Sequence, residues 1–268
     1  MRFDQSLADK LDALMFERLL PDDAVEALGG WLADPERGGR YANGSGPHTI
    51  HYTPSNWAAV TPWPAALADR AMAGSASVSR AEAEAVVRAA MRSESWAEAF
   101  VASQVWGYGG GGLGPYRTGR ILAQPDADAV IAEAVALLRD TGAAGPTAAY
   151  ERLDTLRGLG PAFLTKFLYF AGRALPEITG PRPLILDSVL AGVIRRHATI
   201  TGRSAGHEWS EAIAGRIWRD GAWTSHRYGI HLRWMHAANE QLTTALPNWP
   251  KDPDVLELAL FSGAWKPE

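Results

Sequence analysis

The residues Leu156-Arg-Gly-Leu-Gly160 join two helical stretches through a turn too tight for most side chains. Glycines at 158 and 160 let the backbone turn sharply, and Pro161 suits the first position of the helix that follows. Such a hairpin brings bare N–H groups to a helix N-terminus, an anion site that fits a DNA phosphate. An ordinary glycine-turned helical hairpin carries the same residues. Downstream, Lys166 is the only charge between Ala162 and Gly172. A lysine with few polar neighbours loses its proton more easily, which suits Schiff-base chemistry. The alternative is a solvent stripe of Thr165, Lys166, Tyr169 and Arg173 on an amphipathic helix. Next, the apolar run Pro183-Leu-Ile-Leu ends in Asp187 before a new helix. Asp is favoured as a helix N-cap, where backbone amides hold its carboxylate in place. It can then stabilise the cationic sugar that appears when an N-glycosidic bond breaks.

The tract Gly107-Tyr-Gly-Gly-Gly-Gly-Leu-Gly114 contains G-x-G-x-x-G. It follows a helix and no βαβ pattern surrounds it, which argues against a dinucleotide fingerprint. It reads either as a flexible turn or as a loop that approaches nucleic acid, flanked by Trp106, Tyr108, Tyr116 and Arg117. His226, His231 and His236 do not share a helical face, and no H-E-x-x-H is present, so a zinc hydrolase is not expected.

Helices must position these groups. Apolar spacing predicts helices over 6–20, 77–91, 94–106, 125–139, 147–156, 162–173, 188–197, 207–219, about 227–246 and 254–261, with a long irregular connection over 34–63. The fold class expected is all-α and two-lobed. The expected division is an N-terminal helical region over 1–94 and a second region over 95–268. The second holds the hairpin at 147–172 and C-terminal helices over 225–263 that pack back on the N-terminal lobe.

Composition narrows the function. The chain of 268 residues is 47% hydrophobic and 21% charged, ordinary for a globular protein. It contains no cysteine, which excludes disulfides, thiolate zinc sites and iron–sulfur clusters. No signal peptide or membrane span is legible, so a cytoplasmic, soluble protein is expected. The net charge of −4 is unevenly spread: nine Lys/Arg stand against four Asp/Glu between Arg157 and Arg219, giving +5 there and −9 elsewhere. Local positive potential of this kind suffices for binding phosphates.

The order hairpin, then Asp opening the next helix, resembles the helix-hairpin-helix (HhH-GPD) DNA glycosylase superfamily. The end of the chain, Glu257-Leu-Ala-Leu-Phe261-Ser-Gly, looks like the final helix of its 8-oxoguanine glycosylases. The resemblance covers roughly 95–265, and no extra N-terminal β-domain is legible. It implies a glycosylase that needs no cofactor and acts as a monomer on double-stranded DNA, either with an AP-lyase step through Lys166 or by attack of water alone. It further implies that Asp187 and Lys166 are catalytic, that Gly158, Gly160, Arg157 and Arg117 bind DNA, and that Phe261, Glu257 and Trp223 form the base pocket. Two departures stand out. The family's Schiff-base lysine falls where this chain has Ala162, one helical turn before Lys166, and the family's Val-Asp-x-His is Leu-Asp-Ser-Val here. Glu257 stands where the oxoguanine enzymes carry Gln. Phe261 reads otherwise as a core-facing aromatic and Glu257 as a solvated helix charge. Oxidised guanine is the expected base. A modified base in invading phage DNA, a non-catalytic DNA-binding module and an all-α interaction protein are the alternatives.

Overall fold

A computed structural model describes residues 4–70, 74–139, 144–176, 178 and 180–267. The described residues fold into α1 (Gln5–Glu17), α2 (Asp22–Ala33), strand β1 (Thr49–Tyr52), strand β2 (Ala76–Ser79), α3 (Arg80–Arg92), α4 (Trp96–Tyr108), α5 (Gly114–Leu122), α6 (Ala127–Arg139), α7 (Gly145–Asp154), α8 (Pro161–Ala174), α9 (Ser188–Ser204), α10 (Ser210–Ile217), α11 (Ser225–Ala245) and α12 (Asp254–Phe261). The fold is all-α, with one two-stranded antiparallel ribbon among the described residues, in which Thr49 pairs with Ser79 and Tyr52 with Ala76. No described helix is long and apolar enough to cross a membrane.

The chain forms two compact units, Met1–Gly44 with Leu186–Glu268, and Ser45–Ile185. Position 94 lies inside the second unit, between α3 and α4, which pack on each other. In the first unit α1 contacts α9, α10 and α11. Asp12 of α1 and Arg227 of α11 are tied by two charge-assisted bonds of 2.7 and 2.6 Å, both side chains being buried. Gly202 of α9 is needed in this unit, because a Cβ there would sit 2.0 Å from the Ser210 hydroxyl. His197, on the inner face of α9, packs against Trp234 and Trp265 and bonds the Arg18 carbonyl through Nε2 at 3.1 Å. Burial pushes its pKa from 6.5 down to about 4.

In the second unit, α8 runs through the core. Leu164, Phe167, Leu168 and Phe170 are fully enclosed, and each such aromatic stabilises the fold by about 3–5 kcal/mol relative to alanine. The stretch 34–63 is less irregular than its Gly/Pro content suggests, since β1 lies within it. Likewise 77–79 is strand, and α3 starts only at Arg80, where Ser79 and Glu82 form a reciprocal capping box. α5 was not expected from periodicity, its apolar spacing being diluted by Gly114 and Gly119.

Candidate active site and nucleic-acid interface

The hairpin between α7 and α8 turns on Gly158, whereas Gly160 has the ordinary extended φ of −72°. Gly158 adopts φ +88°, a left-handed conformation that disfavours other residues, and a Cβ there would meet only open space. Leu159 N–H bonds the Leu156 carbonyl at 3.1 Å, and both leucines are buried, anchoring the turn from below. Gly160 is the extended N-cap of α8, and its carbonyl accepts from Phe163 and Leu164 N–H at 3.0 Å. The N–H groups of Gly158, Gly160 and Ala162 have no acceptor among the described residues. They are donors at the positive end of a 14-residue helix.

α5 supplies the charge beside this hairpin. Arg117, Arg120 and Gln124 of α5 and its exit, with Arg157 and Gly158, line a pocket of roughly 520 Å³. Gln124 holds the Arg157 backbone in both directions, donating to its carbonyl and accepting from its N–H, each at 3.0 Å. Arg120 donates to the Tyr116 hydroxyl at 3.0 Å. Tyr116 and Leu113, at the start of α5, are 61% and 60% exposed. Arg120 and Gln124 escaped the sequence reading. The signal was the 117, 120, 124 spacing of one helical face, legible only once α5 is seen as a helix.

The glycine tract is a packing seat at its end, Gly114, while residues 110–113 between the helices are exposed. A Cβ on Gly114 would lie 2.6 Å from the Tyr108 ring, and Tyr108 stacks on Phe163 with centroids 3.7 Å apart. Burial raises the Tyr108 phenol pKa, partly offset by a hydrogen bond from Arg117. Trp106 is buried, which removes it from any role as an exposed wedge. Lys166 is half-buried: its Nζ donates to the Gly107 carbonyl at 3.2 Å and lies 4.7 Å from the centre of the Phe163 ring. The solvent-stripe alternative fails, because Thr165 and Tyr169 are buried.

The remaining residues lie in the first unit. Asp187 is the N-cap of α9, and its Oδ1 accepts from Leu190 N–H at 3.0 Å. It is half-buried and makes no ion pair among the described residues. α12 packs on α9 and carries Glu257 and Phe261 one turn apart. Glu257 is 1% exposed and Phe261 41% exposed, so neither the solvated glutamate nor the core-facing phenylalanine of the simpler readings exists. Trp223 is buried and donates its indole N–H to the Arg219 carbonyl at 2.7 Å. It lines a pocket of roughly 510 Å³ with Arg216, Arg219 and His226. Asp9, Asp12 and His226 come near enough to share a metal ion, but both oxygens of Asp12 are committed to Arg227, leaving too few ligands for a closed site.

Residues 43–261 match the model of a protein family described as "Putative 8-oxoguanine DNA glycosylase OGG-like protein", and the chain belongs to that family. No curated protein and no solved structure matches it.

Proposed function

We propose that this member of the 8-oxoguanine DNA glycosylase OGG-like family swings a damaged base out of double-stranded DNA and cleaves its N-glycosidic bond. The observation that carries the reading is the set of unclaimed N–H groups on Gly158, Gly160 and Ala162 beside the Arg117, Arg120 and Arg157 guanidiniums. Backbone donors at a helix terminus with flanking arginines suit a phosphodiester, to which they give register but no sequence preference. Exposed Tyr116 and Leu113 enter the gap that the departing base leaves in the stack.

Asp187 is the carboxylate that stabilises the sugar cation as the glycosidic bond lengthens. Phe261 stacks on the extruded base. Glu257, one turn earlier, accepts from the N1–H and N2–H donors of a guanine-type edge, and its burial sharpens discrimination against bare acceptors. Trp223 offers only its ring face, its N–H being taken. Oxidised guanine is the first choice of substrate. Glu257 equally suits a cytosine amino group, which favours a modified base in invading phage DNA as the second reading. The protein works as a monomer in the cytoplasm and needs no cofactor.

The test is release of free base from duplexes carrying 8-oxoguanine, uracil, alkylated or hydroxymethylated bases, with binding measured in parallel. Release from one of them supports the reading. Salt-dependent binding without release from any would leave a non-catalytic hairpin module, and no binding at all would leave an interaction protein.

A further inference from the structure

We infer that Lys166 is the C-terminal cap of α4 and not a nucleophile, so that the reaction is a hydrolysis ending at an intact strand with an abasic site. This rests on the glycosylase reading above. The last carbonyls of α4 are orphaned by helix geometry and need donors from elsewhere. Gly109 N–H serves Val105 and Gly111 N–H serves Tyr108, at 3.1 and 2.9 Å. The carbonyl of Gly107 takes the Lys166 ammonium instead, at 3.2 Å. Lysine is a favoured partner for a helix C-terminus, where the dipole is negative.

Two further contacts fix the side chain in that role. The Phe163 ring faces the ammonium at 4.7 Å, and both this contact and the carbonyl are stronger for the charged form than for a neutral amine. The stem lies against Gly107 so closely that a Cβ there would come within 3.0 Å of the lysine Cδ. The absence of a side chain at 107 thus lets the lysine stem lie flat against the end of α4. Schiff-base formation needs the opposite, a free and neutral amine able to swing to C1′.

With Lys166 so engaged, water supplies the nucleophile. The C1′–N bond breaks, its electron pair leaves with the base, and a water oxygen bonds to C1′. One water proton ends on the base nitrogen and the other stays on the new C1′ hydroxyl. No phosphodiester is cut. The product, an abasic deoxyribose in an unbroken strand, must be consumed by a separate phosphodiester-cleaving reaction, hydrolytic or eliminative.

The probe is a duplex with a preformed abasic site, incubated with the full chain and borohydride, alongside Lys166→Met, which keeps an apolar stem without the donor. Wild type and Lys166→Met are expected to give the same trapped background and no strand scission before alkali. Lys166→Met should also melt about 2–4 °C lower, and Lys166→Arg should regain most of that loss. An adduct on Lys166 that is lost in Lys166→Met, scission that keeps pace with base release, or a Lys166→Met melting temperature equal to wild type overturns the inference. Failure of the glycosylase reading shows differently, as no release of free base from any damaged or modified duplex whether or not the duplex binds, and the melting comparison then still decides the role of the lysine.

Discussion

Gln124 pairs with the backbone of Arg157 through both ends of its amide, donating from Nε2 and accepting at Oε1, each at 3.0 Å. The two residues are 33 positions apart, and the pairing welds the exit of α5 to the hairpin proposed to bind phosphate. Gln124→Ala leaves the Arg157 N–H and carbonyl without these partners and frees the turn. Duplex affinity should fall about tenfold, the equivalent of one hydrogen-bonded anchor, with the slope of affinity against salt unchanged. Fluorescence anisotropy at several salt concentrations measures both, and an unchanged affinity would remove Gln124 from the interface.

The arginines should behave in the opposite way. On the proposed reading Arg120→Ala and Arg157→Ala each remove one phosphate contact, so each should reduce the slope of log affinity against log salt by about 0.9, whatever base the duplex carries. The same titration checks this. An arginine whose removal leaves the slope intact touches no phosphate.

His197 makes the first unit sensitive to acid. Its folded pKa is about 4 against an ordinary 6.5, so between those values the unfolded chain binds the proton and the folded one does not. Stability should be fully present above pH 6.5 and lost as pH falls toward 4, by an amount on the order of 3 kcal/mol. Urea midpoints at pH 7.5, 5.5 and 4.5 report it, and His197→Gln should flatten the dependence. An equal slope in that variant would assign the acid sensitivity elsewhere.

The buried Asp12–Arg227 pair should reveal itself by asymmetry. Asp12→Ala strands a buried guanidinium and should cost about 3–5 kcal/mol, whereas an apolar pair such as Asp12→Leu with Arg227→Met should recover most of the loss. Chemical denaturation of the single and double variants distinguishes this from simple additivity.

What the sequence displayed was whatever depends on local backbone chemistry. Gly158 sits where a left-handed φ favours glycine, Pro161 at a first helical position that needs no N–H, and Asp187 where an orphaned N–H takes a cap, and α12 ends at Phe261 as its pattern implied. What it hid depends on partners distant in the chain. β1 finds its mate only at 76–79, so its four residues carry no pattern of their own. α5 disguises itself with two glycines, of which Gly114 receives the Tyr108 ring. The chemistry of Lys166 turns on the carbonyl of Gly107, 59 residues earlier. The burial of Glu257 follows from packing rather than from its type, since a helical glutamate is ordinarily solvated.

The central claim is that Asp187 carries the bond cleavage. Asn caps helices as well as Asp, so Asp187→Asn keeps the start of α9 while removing the charge. Single-turnover base release on the best duplex substrate, with anisotropy on the same oligonucleotide, is the most direct measurement. Release should drop at least about a hundredfold while the dissociation constant stays within about threefold of wild type. Release by Asp187→Asn at the wild-type rate would contradict the account.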